Sequence, residues 1–138
     1  MVAMSQARQT KTRIGEILSR PVGANQLIFQ GALVAMSGGF AVKAITGVGL
    51  IADGVARETV NNVGGAAGAM RIEVQPIEIY LFNSAAADLI AMTDVGADCF
   101  IVDDQTVAKT NGGGTRSRAG KIIDVDALGV LVSVGIRF

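Results

Sequence analysis

Period-two alternation is clearest at the end of the chain, where Val130, Val132, Val134, Ile136 and Phe138 share one face and Leu131, Ser133, Gly135 and Arg137 the other. The pattern predicts a strand. Residues 121–125, reached across residues 126–129, predict its partner in a C-terminal hairpin. A second alternation covers residues 71–75, with Ile72 and Val74 opposed to Arg71, Glu73 and Gln75. Pro76 has no amide hydrogen to give a ladder, so residues 77–82 are predicted to form an edge strand or one bent at a bulge.

Elsewhere, clusters of Gly, Asn, Asp and Pro cut the chain into short apolar segments. Strands are predicted over residues 12–18, 26–36 with a break at Gly31, 40–45, 50–59, 98–103 and 104–109. Turns fall at residues 21–25, 37–39, 61–65 and 111–114. The one helix predicted covers residues 85–92, after a cap at Asn83 or Ser84, where Ala and Leu replace β-branched residues. No repeat or heptad run interrupts the pattern. The expected architecture is mainly β, a small antiparallel barrel or sandwich with one short helix and an extended N-terminal arm. Residues 1–11 are polar and without periodicity and form the arm; residues 12–138 form a single β-rich domain.

Composition adds an expectation of association. Half of the residues are apolar and mean hydropathy is +0.46, but the apolar side chains are mainly Ala, Val, Ile and Leu, with five Phe, one Tyr and no Trp. A core of such small side chains is thin, and a chain this apolar is expected to expose hydrophobic surface to other subunits. No apolar run approaches the ~18–20 residues of a membrane-spanning helix. Twelve basic and twelve acidic residues cancel, so no global field favours nucleic acid or an anionic membrane. The first residues lack the apolar core of a secretory signal, which predicts cytosolic synthesis, with Met4 offering an alternative start. The lone Cys99 lies in an apolar run and is expected to be a small buried side chain.

Chemistry-bearing motifs are sparse. The chain has no histidine, which removes the commonest general base, the Ser-His and Cys-His dyads and the commonest metal ligand. The carboxylate pairs Asp103/Asp104 and Asp124/Asp126 fall at strand ends or turns, where Asp usually bonds to nearby amides. The run from Asp124 to Gly129 opens like a calcium loop, but Leu128 stands where an oxygen is needed and Gly135 where the closing Glu belongs. Gly47, Gly49 and Ala52 match a G-x-G-x-x-A dinucleotide fingerprint with Glu73 further on, yet Gly54, Thr59, Val60, Asn61 and Asn62 leave no room for the helix it needs. Gly112, Gly113 and Gly114 lack the Lys-Ser/Thr of a phosphate loop and read as a surface loop. No catalytic residue, metal ligand or cofactor is therefore expected.

Charge is uneven in one place. Arg8, Lys11, Arg13 and Arg20 sit within the first twenty residues, which contain a single acid, Glu16. These four are the expected contact residues for an acidic neighbour during assembly. A weak nucleic-acid contact and a plain solvated tail are the alternatives.

Residues 31–34 (GALV), 38–44 (GGFAVKA), 49–55 and 64–69 (GGAAGA) resemble a large family of small tailed-bacteriophage capsid cement, or decoration, proteins. The likeness spans roughly residues 12–82, and residues 94–107 are similar to a subset of that family. It implies a β-rich homo-oligomer, often a trimer, on the exterior of a virion capsid, made in the host cytoplasm. Its partners would be the major capsid protein and itself, with no nucleic acid, membrane or cofactor. Other readings are a head-completion, tail or baseplate component, or a small ligand-binding β-barrel or enzyme using the Gly47/Gly49 turn or the Asp103/Asp104 pair.

Overall fold

The structure, a computed structural model, describes residues 3, 5–7, 17–84 and 86–135. Among them, strands follow in the order β1 (Leu18–Pro21), β2 (Leu27–Ile28), β3 (Leu33–Ser37), β4 (Phe40–Lys43), β5 (Ile51–Ala56) and β6 (Val60–Asn61). Then come β7 (Arg71–Gln75), β8 (Ile77–Asn83), β9 (Asp98–Ile101), β10 (Thr106–Ala108), β11 (Arg118–Asp126) and β12 (Gly129–Val134). None of the helices formed by these residues is long and apolar enough to cross a membrane.

Strands β1, β7, β5, β3 and β4 form one antiparallel sheet in that order. Gly38 and Gly39, with φ of 58° and 87°, make the two-residue turn between β3 and β4, a backbone that L side chains resist. The sheet curls until a parallel bridge from Val22 to Ala41 brings its two edges together. Its concave side encloses Val22, Ile28, Val34, Val60, Ile72 and Val74, with the β2–β6 ribbon over one end. The alternation of residues 71–75 thus survives intact, Ile72 and Val74 buried and Arg71 and Glu73 exposed.

The second half closes a barrel in the order β10, β8, β12, β11, β9. Four of its junctions are antiparallel, but β8 and β10 run parallel through Phe82 opposite Thr106 and Asn83 opposite Val107. The expected small β-barrel is present, antiparallel but for this junction, where the excursion through β9 returns the chain in the direction of β8. Val130, Val132 and Val134 point into this barrel with Cys99, Ile101, Val107 and Ile122. Leu33, Ala35 and Ala52 join the same core from the outer face of the first sheet, so β3 serves both cores through alternate residues.

Pro76 is where the chain leaves the sheet for the barrel, between β7 and β8. Of the two alternatives expected after Pro76, an edge strand or one bent at a bulge, residues 77–81 match the first in part: among the described residues they pair only with β12, whereas Phe82 and Asn83 also meet β10 and make β8 an inner strand of the barrel there. The predicted helix over residues 85–92 is corrected. Among the described residues only two 3-10 turns, Ala86–Asp88 and Met92–Asp94, stand there. Asn83 bonds both the amide and the carbonyl of Ile90, pinning the segment as a loop while Ile90 enters the barrel core. The predicted first strand is described only from Leu18, residues 12–16 lying outside the described residues, and it takes in Pro21, assigned above to a turn. Opposite Arg71 at the end of an edge strand, Pro21 has no ladder amide to supply.

Candidate functional site

The turn at Gly31 lies at the meeting of three surface depressions that together form a groove. Gly31 takes φ of 88° and donates its amide to Ala56 O at 2.9 Å. Along one wall run Ile77, Ile79 and Phe82 of β8; Val55 and Ala56 of β5 and Gln105 before β10 contribute the others. Phe29 is 57% exposed, Phe82 60% and Leu128, at the tip of the β11–β12 hairpin, 71%. Three large apolar side chains thus stand in water around one groove, which marks a contact surface.

The same wall presents backbone. In β12, Ser133 directs its carbonyl toward β11, where a Cβ on Gly120 would meet it, and Leu81 directs its own toward Gly129. By alternation, Ile77, Ile79 and Leu81 bond to β12, and the amides and carbonyls of Glu78 and Tyr80 face the other way. The amide of Phe82, next in that row, donates to Gln105 O at 2.8 Å. Among the described residues no strand continues the pairing over residues 77–81, so Glu78 and Tyr80 keep a free edge.

Charge around the groove is mixed. Glu78 and Asp104 line it together with Arg57, which donates to Gln75 Oε1 at 2.7 Å. The Tyr80 hydroxyl donates to Asp126 Oδ2 at 2.8 Å, and that bond above all raises its pKa, with burial and the Asp126 and Asp124 charges adding.

A second apolar surface lies on the β4–β5 connection, where Ile45, Val48 and Ile51 are exposed. Thr46 Oγ1 donates to Val102 O, and the Ser117 hydroxyl donates to Gly47 O at 2.8 Å while accepting from Leu50 N at 3.0 Å. Gly47 and Gly49 lie in the connection between strands β4 and β5, with no helix after them.

Of the four expected contact residues, Arg20 is bonded inside the fold to the buried carboxylate of Asp53. Arg8, Lys11 and Arg13 lie outside the described residues. Asp103 and Asp126 accept from the amides of Gln105 and Leu128, two residues on, and so shape turns, whereas Asp124, inside β11 beside its bulge, accepts from Val125 N. The loop holding Gly112, Gly113 and Gly114 folds on Asn111, which accepts from Thr115 N, Arg116 N and Gly114 N. Cys99 is fully buried, as expected.

Sequence alone did not mark Phe29, Phe82 or Leu128 as contact residues. Phe82 shares parity with the polar-facing Glu78 and Tyr80, and Leu128 sits in a turn where a polar residue is usual, so both carried a legible signal. Phe29 carried none beyond its place before the Gln30-Gly31 turn.

No protein-family model, curated protein or solved structure matches this chain.

Proposed function

We propose that the chain is a structural virion protein, a cement protein that binds the major capsid protein on the outside of a tailed-phage head and stabilises the shell as a homo-oligomer, trimeric as in the family it resembles. It works by adhesion and makes or breaks no bond in a substrate. One observation carries this reading: Phe29, Phe82 and Leu128 stand exposed beside a strand edge that has no partner among the described residues. Such a surface gains by being covered, through apolar contact and through strand pairing. A specific interface buries about 1,600 Å² in total, and many copies on a shell multiply modest contacts through avidity. The resemblance of residues 12–82 to cement proteins gives the adhesion its setting.

The test is co-sedimentation with purified tailed-phage heads stripped of decoration. Saturable pelleting at a fixed ratio to the major capsid protein, together with raised resistance of the heads to heat or chelation, is the expected result. A chain that stays in the supernatant and leaves head stability unchanged contradicts the proposal. Label confined to tails in electron micrographs contradicts the capsid location.

A further inference from the structure

Asn111 is the one asparagine of the chain followed by glycine. The pairing matters chemically, because a glycine amide nitrogen has no Cβ beside it and can approach the preceding carboxamide without hindrance. Asn111, Gly112, Gly113 and Gly114 are all exposed, in the loop between β10 and β11.

The loop gives each reacting atom a fitting neighbour. Gly112 N, the nucleophile, donates to Thr110 Oγ1 at 3.3 Å, and that hydroxyl donates in turn to Asp88 Oδ2 at 2.9 Å. A proton leaving Gly112 N therefore meets an acceptor with a carboxylate behind it. On the electrophile, Gly114 N donates to Asn111 Oδ1 at 3.2 Å, which polarises the carboxamide and favours the oxyanion that attack creates. The other four asparagines are placed differently. Asn62 is buried, with Nδ2 bonded to Gly23 O and Ala66 O, and Asn83 holds the Ile90 backbone through both of its polar side-chain atoms. Asn25 and Asn61 precede Gln26 and Asn62, whose amides are flanked by a Cβ.

We propose that residues 110–114 are a modification site at which Asn111 converts to aspartate and isoaspartate. Gly112 N bonds to Asn111 Cγ, the Cγ–Nδ2 bond breaks, and ammonia departs with the proton that Gly112 N gives up, leaving a succinimide. Water then opens the ring. Attack at Cγ yields aspartate, and attack at the Asn111 main-chain carbonyl yields isoaspartate, in which the chain runs through Cγ. Either product sets a new carboxylate on this surface. The second also takes out of the main chain the carbonyl that accepts from Thr115 N and Arg116 N, so the loop must rearrange. The chemistry is independent of the capsid reading.

The folded full chain is incubated in mildly alkaline buffer and digested with trypsin, which releases residues 110–116 as one peptide. A gain of one mass unit in that peptide, growing with time and labelled by an isoaspartyl methyltransferase, is expected, while peptides with the other asparagines stay unchanged. Thr110→Val slows the gain about fivefold, the rate equivalent of one hydrogen bond, and Thr110→Ser keeps the native rate. A folded chain that keeps Asn111 intact while the urea-unfolded chain converts overturns the proposal. So does equal conversion at the other asparagines, or a Thr110→Val chain that reacts as fast as the native one.

Discussion

The Arg20 guanidinium holds the Asp53 carboxylate by two bonds, Nε to Oδ2 at 2.8 Å and Nη2 to Oδ1 at 2.9 Å, and the Asp53 side chain is wholly removed from solvent. Asp53 is the extra residue of a bulge in β5, between the partners of Val34 and Ala35, which turns its side chain where an acid would otherwise be intolerable. Because β7 lies between β1 and β5, the pair fastens the sheet edge to its centre. The bond to Asp53 is the main reason the Arg20 pKa is raised; burial opposes it and the Asp53 charge adds.

Removing Arg20 therefore strands a buried charge. Arg20→Ala is expected to cost about 3 kcal/mol, read as a lower urea midpoint with an unchanged slope, and Arg20→Lys recovers only part because one ammonium cannot make both bonds. Asp53→Asn leaves unpaired only the partly exposed Arg20 charge, which water can solvate, and costs less than Arg20→Ala, which strands the fully buried carboxylate. A loss under ~1 kcal/mol for Arg20→Ala would mean that the pair is incidental.

This pair also explains which features were legible from sequence. Alternation at residues 71–75 and 130–134 was readable because one face of each strand is buried and the other is not. Arg20 read as part of a basic arm because its partner is 33 residues away, and no local pattern announces a bulge that turns Asp53 inward. The helix expected over residues 85–92 had the right local propensity and lost to tertiary contacts of Asn83 and Ile90. The groove was least legible, since it is assembled from β5, β8 and the loops at Gly31, Gln105 and Leu128, which only the closed barrel brings together.

Two glycines separate close packing from turn conformation. A Cβ on Gly120 would lie 2.1 Å from Ser133 O, a backbone atom in the neighbouring barrel strand, so Gly120→Ala must displace β11 from β12. The expected cost is about 2–3 kcal/mol. Gly113 has φ of 74° with open space around it, so Gly113→Ala costs only about 1 kcal/mol from the backbone. Thermal melts of the two variants should rank in that order, and the reverse ranking would contradict the barrel register.

Asp88 ties the loop after β10 to the first 3-10 turn, accepting from Thr110 Oγ1 at 2.9 Å and from Arg116. Burial pushes its pKa up, but the Thr110 hydroxyl and Arg116 together outweigh that and leave the carboxyl below its ordinary value. A depressed carboxylate adds stability above its unfolded pKa, near ~3.9, and loses it as pH falls through the folded value. The stability advantage of the native chain over Asp88→Asn is thus expected to be full near neutrality and to shrink below about pH 4. An advantage that grew on acidification would contradict the assignment.

Cys99 tests the barrel interior directly. Its thiol is fully buried, donates weakly to Gly120 O at 3.6 Å, and is pushed up to about 12 by burial, against smaller opposing effects from Arg118 and the Gly120 carbonyl. Such a thiol is neutral at neutral pH and closed to reagents, so Ellman's reagent should leave the folded chain untouched and modify one equivalent after unfolding in guanidinium. A raised folded pKa has the opposite sign from Asp88: its stabilisation is complete below the unfolded value of about 8.5 and is lost as pH rises toward the folded one, by up to ~1.4 kcal/mol per pH unit. Cys99→Val keeps the apolar volume and removes the titration, so its stability relative to the native chain should climb between those two pH values. Rapid thiol modification of the native chain, or parallel alkaline curves for the two proteins, would place Cys99 at a solvent-accessible position and open the barrel that the strand register closes.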